Sequence, residues 1–126
     1  MTEQIPLSGV VLDAPDPREL AKFYRQLLGW EIVQDDENWA QLRGPAGSSK
    51  ISIQREPHHR PPAWPSEPDR QQMQLHLDFE ISDLGEAQQR AVSAGATVMD
   101  WQPQEEGVRI FADPVGHVFC LFLPGW

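Results

Sequence analysis

The sequence contains two similar halves, and this internal repeat restricts the possible fold more than any other feature. In the first half, residues 7–13 (LSGVVLD) are typical of a strand, and a helix is predicted over 16–29. In the second half, residues 73–81 predict a strand, and 83–95 predict a helix. Each half then continues with strand-like stretches, the last two joined by an x-Pro-x-Gly turn. The sequence therefore predicts strand–helix–strand–strand–strand, written twice.

Both predicted helices begin with the same signal. Asp16 is followed by Pro17 and, three residues after the aspartate, by Glu19; Asp83 is followed in the same way by Glu86. An aspartate before a helix accepts hydrogen bonds from N–H groups of the first turn, and proline suits the first helical position. We therefore interpret both aspartates as helix caps, with no part in chemistry.

The repeat predicts an α+β fold of two βαβββ modules that form a curved mixed sheet around a cleft, with helices on the outer face. Neither module alone has enough strands to bury a core, so 126 residues are expected to form a single domain. Module one covers about 5–56, a Pro-rich irregular connector covers 57–72, and module two covers about 73–124. A cleft between modules is the expected place for a ligand.

Composition excludes several classes of protein. The formal net charge is −9 and the pI is near 4.7, which argues against a nucleic-acid partner. No apolar run reaches the ~18 residues that a membrane helix needs, so no membrane partner is expected. Cys120 is the single cysteine and fits a reducing compartment, and the predicted location is the cytoplasm.

The stretch QLHLDFEISD, residues 74–83, alternates apolar and polar side chains. Because a strand sends successive side chains to opposite faces, His76, Asp78 and Glu80 are expected to share one face. That face is either ordinary solvated surface or the floor of a site that binds a metal or transfers protons.

The segments GVVLDAPDPRELAKFYRQLLGWEI, QLHLDFEISDLGEA, AGATV and FADPVGHVFCLFL together resemble the vicinal oxygen chelate superfamily, most closely its glyoxalase-like branch. The superfamily includes glyoxalase I, extradiol dioxygenases, fosfomycin resistance enzymes and bleomycin resistance proteins. The resemblance covers nearly the whole chain and implies the fold. It does not imply one activity, because the superfamily hosts isomerases, lyases, transferases, dioxygenases and non-catalytic binding proteins.

The resemblance also implies four metal-ligand positions, one on the first and one on the last strand of each module. They fall on Gly9, on Gln54 (or Ser52), on His76 and on Cys120. Glycine has no donor, glutamine is a weak ligand, and zinc needs at least three good protein ligands. We therefore expect no cofactor, and a divalent metal only if it is weakly bound; His76 and Gln54 would be its ligands.

The candidate catalytic residues are His76, Asp78 and Cys120. His76 would act as a general base tuned by Asp78, the alternative being a histidine with a structural hydrogen bond. Cys120 is either a small buried hydrophobe or a reactive thiol whose pKa His76 lowers. The ligand pocket is predicted to be lined by Trp39, Gln54, Trp64, His76, Asp78 and Cys120, with the indoles recognising flat or cationic groups.

These observations favour a glyoxalase-like small-molecule-binding protein with a degenerate metal site, comparable to bleomycin resistance proteins. The alternative is a lyase or isomerase of the glyoxalase type that uses His76 with Asp78 or Cys120, with or without a weakly held divalent metal. Whether the chain is an enzyme stays open at this point. The expected partners are a small-molecule ligand or substrate and a second copy of the chain in a homodimer.

Overall fold

Within residues 2–126, which the computed structural model describes, the chain forms eight strands and two helices in the order β–α–β–β–β, repeated once. The residues divide into two compact units, the first ending at His59 and the second beginning at Arg60. The α+β class and the two βαβββ modules predicted from the sequence are confirmed. No helix in this part of the chain is long and apolar enough to cross a bilayer.

The first unit is a four-stranded mixed sheet with one helix. Its elements are β1 (Gly9–Ala14), α1 (Pro17–Leu28), β2 (Glu31–Asp35), β3 (Trp39–Arg43) and β4 (Lys50–Arg55). The strand order is β1-β4-β3-β2, in which β1 and β4 are parallel and the other neighbours are antiparallel.

The second unit repeats this arrangement. Its elements are β5 (Leu77–Glu80), α2 (Leu84–Ala94), β6 (Thr97–Val98), β7 (Val108–Ala112) and β8 (Val118–Phe122). The strand order is β5-β8-β7-β6, again with a parallel pair, β5 and β8, at one edge.

Both helices start at the predicted caps. The Asp16 carboxylate accepts hydrogen bonds from the backbone N–H groups of Arg18 and Glu19. The Asp83 carboxylate accepts one from the backbone N–H of Glu86. These bonds satisfy N–H groups that have no partner inside the helix.

The core of the first unit lies between α1 and its sheet. Leu20 and Tyr24 of α1 are buried, as are Leu42 and Ile53 of the sheet. In the second unit, Phe111 and Phe119 stack with ring centroids 5.2 Å apart, and both rings are fully buried. These residues are the alternate side chains of their strands, so the intervening ones are left for the opposite face of each sheet.

Two predicted strands are shorter than expected. β5 starts at Leu77 rather than at residue 73, because its parallel ladder with β8 begins at the pair Leu77–Phe119. β6 consists of two residues, Thr97 and Val98, which pair with the end of β7. Hydrophobic alternation marks where a strand is possible, whereas the available partner sets how long it becomes.

Candidate functional site

Three polar side chains predicted to be functional lie together in the second unit. Asp78 is opposite Cys120 in the parallel ladder of β5 and β8, and His76 lies two residues before Asp78. The His76 Nε2 and Asp78 Oδ1 atoms are 3.1 Å apart. One ligand atom from each of His76, Asp78 and Cys120 lies within 4.8 Å of the others. We call these three residues the HDC cluster.

The HDC cluster lies on the sheet face that points away from α2. Arg109 of β7 donates a hydrogen bond to Gln88 of α2, so odd-numbered β7 residues face the helix. The next residue, Ile110, therefore faces the other way, and Cys120 is its ladder partner. Alternation and register together bring the cluster to this face.

The surroundings of the cluster are apolar. Ile110, Val118 and Cys120 are buried and form one hydrophobic group. Partly buried hydrophobic side chains pack against this group: Trp64, Met73, Met99 and Val108. The cluster is thus a polar edge beside an apolar surface made of side chains from the sheet and from the segment that precedes it.

The segment before β5 holds Trp64 in position. A Cβ atom added at Gly116, in the β7–β8 turn, would collide with the Pro61 side chain, so the segment crosses this turn closely. The backbone N–H of Ala63 donates to the carbonyl of Gln71 at 2.9 Å, which closes a loop around Trp64. Within the described residues, the buried Trp64 Nε1–H group has no acceptor. An indole N–H in this state favours a ligand that offers an acceptor.

Trp64 also contacts a second indole. The ring centroids of Trp64 and Trp101 are 5.5 Å apart with an interplanar angle of 41°. Trp101 remains 49% exposed, so the pair offers an accessible aromatic surface.

The electrostatics of the cluster act on the thiol of Cys120. Burial, then the charge of Asp78, and then a hydrogen bond to the Asp78 carboxylate raise the pKa of Cys120 to about 11. A reactive thiolate needs a shift in the opposite direction. Cys120 is therefore a neutral thiol at physiological pH, and the His76 imidazole lies against the Asp78 carboxylate. The arrangement suits proton exchange at His76 better than nucleophilic attack by Cys120.

Trp39 and Gln54, the other two predicted pocket residues, belong to the first unit. They are ladder partners in β3 and β4. The side-chain amide of Gln54 donates to Asp13 Oδ1 at 2.6 Å. The pocket roles of all six residues remain predictions. Four of these residues belong to the second unit: Trp64, His76, Asp78 and Cys120.

Equivalent positions in the two units can be matched through the ladders. Val11 precedes its helix cap by five residues, as Asp78 does, and it pairs with Ser52, as Asp78 pairs with Cys120. Of the two alternatives left open by the sequence, Ser52 is therefore the equivalent of Cys120. Its hydroxyl accepts a hydrogen bond from Gln41 Nε2 at 2.9 Å.

The four metal-ligand positions implied by the resemblance do not make a fitting site. Gly9 supplies no donor, and a Cβ atom there would lie 3.0 Å from the carbonyl oxygen of Lys50. The buried Ser52 hydroxyl is bound to Gln41, and a neutral hydroxyl is a poor metal ligand. Only His76 and Cys120 remain at those positions, fewer than the three good protein ligands that zinc requires.

Sequence reasoning missed part of the apolar surface. The pocket predicted from the sequence does not include Met73, Met99, Ile110, Val118 or Trp101. For Ile110 and Val118 a signal existed: both alternate in phase with Cys120 once the β7–β8 ladder is known. The two methionines lie outside strands, and no period in the sequence places them.

Solved structures with the same fold include proteins of several kinds. A glyoxalase/bleomycin resistance protein/dioxygenase family enzyme from Burkholderia phytofirmans is 18% identical, with a TM-score of 0.72, 94% of this chain covered and 98% of that one. The antibiotic-binding protein TnmS3 from a Streptomyces species is 19% identical, with a TM-score of 0.64 and coverage of 99% and 100%. A glyoxalase/bleomycin resistance protein from Albidiferax ferrireducens is 18% identical, with a TM-score of 0.65 and coverage of 92% and 96%. At these identities the similarity shows the fold alone.

The sequence itself gives the narrower assignment. The model of the glyoxalase-like domain matches residues 9–122, so the chain belongs to the glyoxalase-like domain family. A search of curated protein sequences finds no match. The resemblance inferred from the sequence is confirmed at the level of family and fold.

Proposed function

We propose that this chain is a small-molecule-binding protein and that its ligand binds on the sheet face of the second unit that carries the HDC cluster. One observation supports this most strongly: a partly exposed carboxylate and imidazole, 3.1 Å apart, adjoin an apolar surface that includes two indoles. Small-molecule sites combine a mainly apolar lining with a few fixed polar groups.

The chemistry of this face favours a flat ligand with a cationic group. The Trp64–Trp101 pair would stack against an aromatic part. The Asp78 carboxylate, 56% exposed, would pair with a cationic part. The similarly folded TnmS3 is an antibiotic-binding protein, which is consistent with a small-molecule ligand here.

A binding assay with matched ligands tests the proposal. Flat aromatic compounds with a protonated amine and their neutral isosteres would be titrated into the protein by calorimetry. The cationic members should bind more tightly. Asp78→Asn should weaken them by roughly 10–100-fold, the range expected for losing a charge-assisted hydrogen bond, and leave the isosteres unchanged.

Two further variants complete the assay. Trp64→Leu should weaken both series, because it removes the aromatic surface and keeps an apolar side chain. Asp36→Asn changes an exposed carboxylate between β2 and β3 of the first unit and should change neither. Absence of binding across the panel, or binding that Asp78→Asn and Trp64→Leu both leave intact, would contradict the proposal.

A second candidate function is that of a lyase or isomerase in which His76 is the general base. The contact between His76 Nε2 and Asp78 favours it, because a carboxylate at this distance holds an imidazole in one orientation. Cys120, whose pKa is near 11, is less suited to accept or donate a proton at neutral pH. Exchange of carbon-bound protons of a bound compound with deuterated solvent, lost in His76→Ala, would distinguish this function from binding alone.

Assembly and location belong to the same proposal. We expect the chain to act as a homodimer in the cytoplasm, as its resemblance and its single cysteine suggest.

A further inference from the structure

We propose that Gln102 is the positioning residue of the aromatic surface at the ligand site, and that it thereby sets the selectivity for flat ligands. The ligand part of this inference rests on the proposed function, whereas the position of the indole pair can be measured without a ligand. Gln102 directly follows Trp101 in the segment between β6 and β7. Its partly buried side chain makes three hydrogen bonds, all of them to backbone groups.

The side-chain amide of Gln102 lies at the end of the β6–β7 ladder, one position beyond the last regular pair, Val98–Phe111. At that position the backbone N–H of Met99 donates to the carbonyl of Ile110 at 3.0 Å. A hydrogen-bonded antiparallel pair exchanges two such bonds. Here the N–H of Ile110 donates instead to Gln102 Oε1 at 2.9 Å, and Gln102 Nε2 donates to the Met99 carbonyl at 2.8 Å. The amide therefore takes the place of the second backbone bond.

This arrangement fixes several parts of the ligand surface together. Gln102 Nε2 also donates to the Ile110 carbonyl at 2.8 Å, so the three bonds use both hydrogens of the amide nitrogen and the amide oxygen. Met99 and Ile110, the residues bonded by the amide, both belong to the apolar surface beside the HDC cluster. Trp101 precedes Gln102 directly, and its ring centroid lies 5.5 Å from that of Trp64. The amide thus holds the turn that presents the second indole.

Loss of the amide has a specific structural consequence. The Ile110 N–H and the Met99 carbonyl both need partners when buried, and without the amide they can bond to each other directly. This bond would extend β6 by one residue, and the chain that follows would run along β7. Trp101 would then move away from Trp64. Stability should change little while the indole pair is lost, which distinguishes positioning from a merely structural role.

Far-ultraviolet circular dichroism of the full chain tests the position of the indoles. Two indoles in contact couple their electronic transitions and give a pair of bands of opposite sign, which the difference between the unmodified chain and Trp101→Phe defines. Gln102→Leu should lose these bands and keep a urea midpoint close to that of the unmodified chain. Gln102→Glu retains the acceptor but not the donors, and should lose the bands as well. Gln104→Leu changes an exposed glutamine of the same segment and should keep them.

Calorimetry with flat aromatic amines and their saturated-ring analogues tests the selectivity. Gln102→Leu should weaken binding of the flat compounds by roughly 2–10-fold, the range expected for a lost aromatic contact, and leave the saturated compounds unchanged. Coupled bands that persist in folded Gln102→Leu would overturn the inference, as would a large fall in its urea midpoint with equal weakening of both series. If neither series binds the unmodified chain, the proposed function fails together with the selectivity assigned to Gln102. The dichroism comparison then still decides whether Gln102 positions the indoles.

Discussion

The two units share one topology but use their two sheet faces differently. On the helix side, α1 contributes six buried residues: Pro17, Leu20, Ala21, Phe23, Tyr24 and Leu27. Among the described residues of α2, Ala91 alone is buried. The sheet faces that point away from the helices also differ.

On this face the first unit has polar pairs hydrogen-bonded to each other, Gln41 with Ser52 and Gln54 with Asp13. The second has the HDC cluster beside apolar side chains.

The contrast lies between a well-buried helix face in the first unit and an exposed polar cluster in the second. Burial of large side chains against α1 makes the first unit the better-packed half. On the opposite face of its sheet, the polar side chains form hydrogen bonds with each other, so part of their hydrogen-bonding capacity is already used. The second unit has a less buried helix and a face whose polar groups adjoin an accessible aromatic surface. We infer that stability depends mainly on the first unit and ligand chemistry mainly on the second.

The largest expected effect comes from truncating the helix core of the first unit. Leu20 is 1% exposed, and Leu20→Ala should lower the free energy of unfolding by about 3 kcal/mol, because it removes buried apolar contacts and leaves a cavity. A truncation in α2, Val92→Ala, affects a side chain that is 48% exposed and should cost about 0.5 kcal/mol or less. Urea denaturation measures both. Equal losses of unfolding free energy in the two variants would contradict the proposed difference in packing between α1 and α2.

Alkylation of Cys120 is the next test, and it examines the second unit. With a pKa of about 11 in place of 9.0, the thiolate fraction near pH 8 falls about 100-fold, and burial slows attack further. Iodoacetamide should therefore label the native protein at least about 100-fold more slowly than the urea-unfolded chain. The native rate should rise as the pH approaches 11.

Asp78→Asn sharpens the alkylation test. Removing the carboxylate removes two of the three causes of the raised pKa and leaves burial, which is the largest. The pH profile should therefore move to lower pH without reaching that of a free thiol. Glu80→Gln, on the same strand face, is the control. A profile that is unchanged by Asp78→Asn would show that the two side chains do not interact.

The smallest expected effect concerns the helix caps. Asp16 accepts two backbone hydrogen bonds, and Asp16→Ala should cost about 1 kcal/mol. Asp83 accepts one, in a helix with less buried surface, and Asp83→Ala should cost less than Asp16→Ala. Thermal unfolding of the two variants under identical conditions compares them. A larger loss of stability from Asp83→Ala than from Asp16→Ala would contradict the view that the first unit contributes more to stability.

Sequence reasoning reached the fold because its signals are local. Capping aspartates, closing glycines and strand alternation each involve a few adjacent residues, and the repeat confirms each of them independently. The shared face of His76 and Asp78 followed from alternation alone. The contact with Cys120 needed the β5–β8 register, which connects residues 42 positions apart. The position of Trp64 depends on the path of an irregular segment that no period describes.

The close approach of β1 and β4 at Gly9 restricts which side chains this position accepts. Any side chain added there meets the Lys50 carbonyl at 3.0 Å, so β1 and β4 would have to move by a few tenths of an ångström to accept it. A donor side chain introduced at Gly9 would therefore bring strain into the β1–β4 pair together with the new group.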